Sequence, residues 1–193
     1  DAFNDQQSAA YFLPTGQGST ATYLFSETNA AYVGDYEIGV YDPVSGTDLK
    51  LWDEATGISA GQSVAVVWDQ FGVASSSFWN GAGWVTIDVQ AGFGPVFGIY
   101  LDSVYGSQYS DDVLNNGRAQ ILAFNGNINN VSPNYWYFGI EGANNDGTSS
   151  YSSGNIDFND FIIKVESIKP VPEPATLLLL GLGLLGLGIT RRK

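Results

Sequence analysis

The sequence predicts an all-β domain, an antiparallel β-sandwich with jelly-roll-like connections, followed by a single C-terminal transmembrane helix. Short runs rich in Val, Ile, Tyr, Phe and Trp alternate with segments rich in Gly, Asn, Asp and Ser. No stretch before the C-terminal tail has a sustained helical period, so the crossover helices of a parallel α/β fold are missing. The 193 residues are enough for one domain, which we place at residues 1–169, plus an appendage at residues 170–193.

Eight or nine short segments with the β pattern in one chain point to a β-sandwich, with a jelly-roll connection as one option. The predicted strands are Thr20–Phe25, Tyr36–Tyr41, Ser63–Trp68, Trp84–Val89, Val96–Leu101, Ala119–Phe124, Tyr135–Ile140 and Phe158–Val165. A short helix over Asn4–Phe12 is a further expectation.

Three of these strands place a Gly inside an apolar run, at Gly39, Gly98 and Gly139. A Gly within a strand often marks a bulge or a close approach of another group to the backbone. Coincidence is the alternative, because the chain contains 24 Gly.

The composition excludes several classes of function. The chain has 7 Lys and Arg against 20 Asp and Glu, a net charge of −13, so nucleic acid is not an expected partner. It has no His, Cys or Met. This rules out His-dependent triads, Cys nucleophiles, haem, iron–sulfur clusters and imidazole or thiolate zinc sites. No pair of carboxylates stands out for glycosidase chemistry, so we do not expect an enzyme. The lack of Met leads us to expect that an N-terminal piece has been removed.

The tail Pro170–Lys193 differs in composition from the rest of the chain. Its run Ala175–Thr190 carries no charge and contains several Gly. As a helix this run would span about 24 Å, a little less than the ~30 Å hydrocarbon core of a bilayer. A buried core helix is the alternative, but Gly is costly in water-soluble helices and better tolerated in membrane helices. The basic end Arg191–Lys193 then marks the cytoplasmic side and places residues 1–169 on the opposite side.

A Pro-Glu-Pro motif stands directly before the apolar run, and the basic end follows it. The motif residues are Pro172, Glu173, Pro174, Arg191 and Arg192. In this order they resemble the PEP-CTERM sorting signal of Gram-negative bacteria. The resemblance implies processing by exosortase, a membrane-embedded cysteine transpeptidase-like enzyme. It also implies export to the cell surface or extracellular matrix, with an inner-membrane anchor before processing. The prolines also suit a stiff linker, and both interpretations can hold together.

Carboxylate and amide oxygens cluster around the last predicted strand and in the loop before it. The candidate metal ligands are Glu141, Asp146, Asn155, Asp157, Asn159 and Asp160. In an extended segment, alternate side chains of Asn155–Asp160 would project to one side. Calcium prefers about 6–8 such oxygen ligands, so Ca²⁺ is the suspected cofactor, although the spacing is not that of an EF-hand. A hydrogen-bonded Asx-turn is the alternative.

Short motifs in a fixed order extend across the main domain. They are Ile38–Asp42, Phe97–Leu101, Tyr109–Asp111, Leu114–Asn115, Ala123–Gly126, Phe138–Glu141 and Asp157–Asp160. Together they resemble an uncharacterised bacterial domain family that often carries a PEP-CTERM tail, over most of Asp35–Ser167. The resemblance implies a β-sandwich with a calcium site. Gly142 and Asn155 stand where Asp is common in the family, so we expect weaker calcium binding here.

These features predict an exported structural protein of the cell surface or matrix, stabilised by calcium and associated with exopolysaccharide or biofilm. A calcium-dependent carbohydrate-binding module is one alternative. Trp79, in the turn-like segment Phe78–Gly83, is the Trp most expected to be exposed and to stack on a sugar. A self-assembling filament subunit is another alternative, with Asp1–Leu13 as a donated strand. The expected partners are exosortase, exopolysaccharide and further copies of the chain.

Overall fold

The chain folds into antiparallel β-sheets, as the sequence predicts. The computed structural model describes residues 10–15, 20–27, 36–56, 58, 61–103, 106–117, 119–125, 135–140, 158 and 161–171. Within these ranges the only helical element is a 3₁₀ turn at Glu54–Thr56. The strands are β1 Phe12–Pro14, β2 Thr20–Glu27, β3 Glu37–Tyr41, β4 Asp48–Asp53, β5 Ser63–Trp68, β6 Val73–Trp79, β7 Trp84–Ala91, β8 Gly98–Asp102, β9 Gln108–Tyr109, β10 Ile121–Asn125, β11 Tyr135–Ile140, β12 Phe161–Glu166 and β13 Ile168–Pro170.

The strands form a large sheet, a small sheet and a two-stranded pair. The large sheet has the order β10-β11-β12-β2-β5-β6-β7, the small sheet has the order β4-β3-β8-β9, and β1 pairs with β13. Val66 and Ile163 of the large sheet and Val40 and Ile99 of the small sheet belong to one hydrophobic cluster. Because both sheets contribute to a single core, the packing is sandwich-like. The jelly-roll connections remain a prediction.

Phe12 of β1 lies inside this core. Its side chain is fully buried and makes edge contacts with Trp136 and Phe138, with ring centroids 5.3 and 5.0 Å apart. Its backbone exchanges hydrogen bonds with Phe97, of 2.8 and 3.0 Å. The helix expected over Asn4–Phe12 is therefore wrong at Phe12, because the backbone here bonds to another part of the chain. Residues 1–9 lie outside the described part of the chain.

The predicted strand Phe158–Val165 begins later, at Phe161. Phe158 has a φ of 52°, in the left-handed region, so the extended alternation expected for Asn155–Asp160 is broken at this residue. The Phe158 carbonyl oxygen also lies where a Cβ on Gly139 would approach it to 2.6 Å. Gly139 is thus a site of close backbone approach, which is one of the interpretations that the sequence left open.

The other two strand glycines have a common explanation. In the pairing of β3 with β8, Gly39 lies opposite Tyr100 and Gly98 lies opposite Tyr41. Each Tyr ring lies across the Gly that faces it, in the space that a Cβ would fill. Both rings are almost completely buried although they lie on the side of the small sheet away from the shared core. Both glycines are therefore sites of close approach, which is one of the interpretations that the sequence left open.

Candidate functional site

The β6–β7 hairpin presents a row of side chains on the outer face of the large sheet. Partners in an antiparallel pair share one face of the sheet. Ala74 and Ser76 are fully buried and point inward, so the residues that alternate with them point outward. From the tip, the outward pairs are Trp79 with Trp84, Ser77 with Thr86, and Ser75 with Val89. We call these six residues the hairpin face.

Two tryptophans form the exposed end of the hairpin face. Trp79 is 51% exposed and Trp84 is 62% exposed. Their ring centroids are 5.9 Å apart, with the ring planes at 70°. The exposure of Trp79 agrees with the prediction, but the residue ends a strand rather than lying in the turn. Trp84, predicted as a strand residue, begins β7 opposite Trp79 and is the more exposed of the two.

The remaining tryptophans do not offer a comparable surface. Trp68 and Trp136 are buried in the core. Trp52 is half-buried, packs on the core, and donates its indole N–H to the Ile58 carbonyl oxygen at 3.0 Å. Trp79 and Trp84 are therefore the tryptophans that a ligand can reach.

A compact turn fixes the tip of the hairpin. The Asn80 side-chain oxygen accepts hydrogen bonds from the backbone N–H groups of Ala82 and Gly83, both at 2.9 Å. The Asn80 N–H donates to the Gly83 carbonyl oxygen at 3.1 Å. Gly81 has a φ of 95°, which residues with a side chain rarely adopt. These bonds define the turn that joins Trp79 to Trp84.

The hairpin is braced against the small sheet through Asp88 and Ser76. The register of β6 with β7 shifts at Ile87, so that Asp88 lies opposite Ser76 and on the inner face. Its carboxylate accepts the Lys50 N–H at 3.0 Å and the Val89 N–H at 2.8 Å. The Ser76 hydroxyl donates to the Lys50 carbonyl oxygen. These contacts provide hydrogen-bond partners for the backbone N–H and carbonyl oxygen of Lys50 in β4. They also direct the charge of Asp88 away from the hairpin face.

A groove of about 320 Å³ lies on the opposite side of the hairpin, beside β4. Phe78, Val85 and Ile87 supply its apolar lining. Its charged lining residues, Lys50 and Asp53, form an ion pair at 2.8 Å. Their hydrogen bond raises the pKa of Lys50. The charges in the groove are therefore already paired, and the groove offers less to a ligand than the exposed tryptophans do.

The predicted calcium ligands cannot be placed. Glu141, Asp146, Asn155, Asp157, Asn159 and Asp160 all lie outside the described residues. Among the residues that are described, no group of three or more acidic side chains could hold a metal ion. The calcium site therefore stays a prediction.

The predicted sorting residues Pro172, Glu173, Pro174, Arg191 and Arg192 also lie beyond the described part of the chain. Within the described ranges, no helix is long and apolar enough to cross a membrane. The predicted transmembrane helix Ala175–Thr190 falls outside these ranges. The last described residue is Val171, whose N–H donates to the Tyr11 carbonyl oxygen at 2.9 Å.

Comparison with protein-family models identifies the tail. Residues 170–193 match the PEP-CTERM protein-sorting motif. The tail resemblance is thus confirmed, and the PEP-CTERM motif fits an exported protein with a C-terminal membrane-anchoring signal that exosortase sorts. No curated protein and no solved structure matches the chain. The resemblance of the main domain to an uncharacterised family therefore stays a prediction.

Proposed function

We propose that this protein is an exported, exosortase-sorted component of the cell surface or extracellular matrix that binds polysaccharide through its hairpin face. The observation that carries the binding role is the exposed pair Trp79 and Trp84 at the tip of a hairpin with a hydrogen-bonded turn. The PEP-CTERM motif at residues 170–193 supports export and sorting.

The shape of the hairpin face suits a polymer. Exposed aromatic rings on a soluble domain mark interaction sites, and the apolar face of a sugar ring stacks on them. Below the two Trp residues, Ser75, Ser77 and Thr86 offer hydroxyl groups for hydrogen bonds to a sugar. The row is open and about 14 Å long at ~3.4 Å per residue. It can therefore accept part of a long chain, whereas small molecules are usually enclosed in a concave pocket.

The charge distribution favours a neutral polysaccharide. None of the hairpin-face residues is ionisable, although the chain as a whole carries a net charge of −13. Asp88, the acidic residue of β7, is turned inward toward Lys50. An acidic polymer would be repelled by the surrounding domain. A neutral glycan meets no such repulsion.

The same hairpin is poorly suited to filament growth by strand addition. β7 is an edge of the large sheet, but the bulge at Ile87 and the inward-pointing Asp88 are features that hinder pairing with a further strand. The segment suggested as a donated strand ends in Phe12 and Leu13, which pair with β13 of the same chain. Both observations favour polysaccharide binding over self-assembly.

Affinity electrophoresis of the full chain in detergent tests this function, with a neutral β-glucan or alginate cast in the gel. We expect the glucan to retard the parent chain, and Trp79→Ala or Trp84→Ala to weaken binding about tenfold through loss of one stacking contact. Phe71→Ala is the matched control, because Phe71 is 80% exposed at the opposite end of β6. Equal retardation of the parent and both Trp variants would contradict the assignment of the site.

A further inference from the structure

The folded domain closes on itself directly before the Pro-Glu-Pro motif at residues 172–174. β1 pairs with β13 in the register Phe12 to Pro170, Leu13 to Lys169 and Pro14 to Ile168. Hydrogen bonds from Thr15 to Ser167 and from Val171 to Tyr11, both of 2.9 Å, extend the pair at its two ends. We call residues 11–15 with residues 167–171 the clasp.

The two prolines of the clasp do not weaken it. Paired residues of an antiparallel ladder alternate between hydrogen-bonded and non-hydrogen-bonded positions. Because the Val171 N–H bonds to Tyr11, the positions of Pro170 and Pro14 fall on the non-hydrogen-bonded pairs. A proline there costs no ladder bond. The buried side chains of Phe12 and Ile168 anchor both strands in the core.

The clasp leaves very little chain between the domain and the membrane anchor. In the sequence, only Pro172, Glu173 and Pro174 separate Val171 from the apolar run Ala175–Thr190. Three residues reach at most about 10 Å. The polar headgroup layer on one side of a bilayer takes up about 5–7 Å of this distance. If Ala175–Thr190 spans the membrane as the sequence predicts, the domain with its clasp closed lies against the membrane surface, and almost no chain is free on the domain side of the Pro-Glu-Pro motif.

The domain end of the clasp has an unusual backbone conformation. Ser167, between β12 and β13, has a φ of 62°, an uncommon value for a residue other than Gly. If β13 separated from β1, Ile168–Val171 would add about 13 Å of extended chain before the motif. Enzymes that cut or transfer a chain act on segments that open locally.

We propose that the clasp controls exosortase processing: the motif becomes accessible only when β13 leaves β1. This inference rests on the proposed sorting by exosortase. Residues of the clasp act as positioning residues, because they determine where the motif stands relative to the membrane and the folded domain.

Locking the clasp tests the proposal in the full chain, exported in a host that carries exosortase. Leu13 and Lys169 are direct partners across the clasp, and the chain has no Cys of its own. We expect Leu13→Cys with Lys169→Cys to form a disulfide after export and to abolish processing, which is measured as the loss of the shorter product on immunoblots. Each single Cys variant is the matched control and should be processed like the parent.

A second variant distinguishes loss of exosortase access to the motif from misfolding of the locked variant. Six Gly and Ser residues inserted between Val171 and Pro172 supply free chain without opening the clasp, so insertion should restore processing to the locked variant. Unchanged processing of the locked variant, with its disulfide shown by mobility without reductant, would overturn the clasp proposal alone. If the insertion failed to restore processing, the clasp would not act through access. A parent chain that exosortase leaves unprocessed would contradict the proposed sorting itself, and the clasp proposal with it.

Discussion

Asp42 shows how a single buried carboxylate can hold two loops together. It is 2% exposed and follows β3 directly. Its oxygens accept the Val44 N–H and the Ser45 hydroxyl at 2.8 Å, within the turn to β4, and the Gly94 N–H at 2.9 Å, in the loop before β8. Burial alone would raise the pKa of Asp42, but these hydrogen bonds to the charged form outweigh it and lower the pKa below 3.8.

We expect Asp42→Ala to lower the free energy of unfolding by about 1.5–3 kcal/mol at pH 7, because hydrogen bonds to a charged group are lost. A lowered folded-state pKa stabilises the fold above the unfolded-state value near 3.8, and this contribution disappears as the pH falls through the folded-state pKa. The difference between parent and variant in urea unfolding should therefore shrink below about pH 4. Asp102→Ala is the control, since Asp102 is exposed and its carboxylate accepts the Ser107 hydroxyl at 2.8 Å. If the difference in unfolding free energy between the parent and Asp42→Ala stayed the same at all pH values, this account would be contradicted.

The strand glycines allow a second prediction at single residues. A Cβ at Gly39 would overlap both the Tyr100 ring and the Leu49 carbonyl oxygen, whereas the three atoms nearest to a Cβ at Gly98 all belong to the Tyr41 side chain. A side chain can move more easily than the backbone. We expect Gly39→Ala to cost about 1–3 kcal/mol and Gly98→Ala to cost less, measured by denaturant unfolding. Gly83→Ala is the control, because a Cβ there would meet nothing within 4 Å. A larger loss of unfolding free energy in Gly98→Ala than in Gly39→Ala would contradict the role of the Leu49 carbonyl oxygen.

At the level of whole elements, the sequence predicted the strands whose side chains are apolar on both faces or strongly aromatic. Ser63–Trp68 and Tyr135–Ile140 have the predicted bounds. Each of the other predicted strands overlaps a strand of the structure with shifted ends. Hydrophobicity was enough for β3, β5, β8, β10 and β11, because most of their residues are buried.

The strands that were missed depend on contacts that the sequence does not display. β6 contains a run of Ser residues, which is typical of a loop, yet Ser76 is fully buried because its hydroxyl bonds to the Lys50 carbonyl oxygen of β4. β4 alternates buried Leu49 and Leu51 with polar neighbours, but its charged residues concealed that pattern. Since β6 was missed, the hairpin face could not be predicted beyond the exposure of Trp79.

Across the whole molecule, few of the acidic side chains are neutralised by ion pairs among the described residues. The net charge is −13, and the ion pairs among the described residues are Lys50 with Asp53 and Lys164 with Glu166. Self-repulsion of this size works against a compact domain. A bound divalent cation would reduce it, which is the physical reason to retain calcium as a proposal.

We therefore expect calcium to raise the melting temperature of the full chain in detergent, relative to the same chain in EDTA. A ligand that binds only the folded state adds about 2.7 kcal/mol at a hundredfold excess over its dissociation constant. For a domain of this size, a change of about 1 kcal/mol moves the melting temperature by roughly 2–4 °C. Magnesium should produce a smaller shift, because it requires a more rigid octahedral site and loses its water reluctantly.

The variants Asp157→Ala and Asp160→Ala test whether this stabilisation comes from the predicted ligands. If it does, each should remove most of the calcium-dependent rise while changing the melting temperature in EDTA much less, because repulsion between unliganded carboxylates is also relieved. Asp102→Ala also removes one negative charge, but outside the predicted site. This variant should therefore keep the full calcium-dependent rise in melting temperature. A rise that is equal in all three variants would mean that calcium acts on the overall charge rather than at Asp157 and Asp160. The segment before β12 would then be better explained as an Asx-turn.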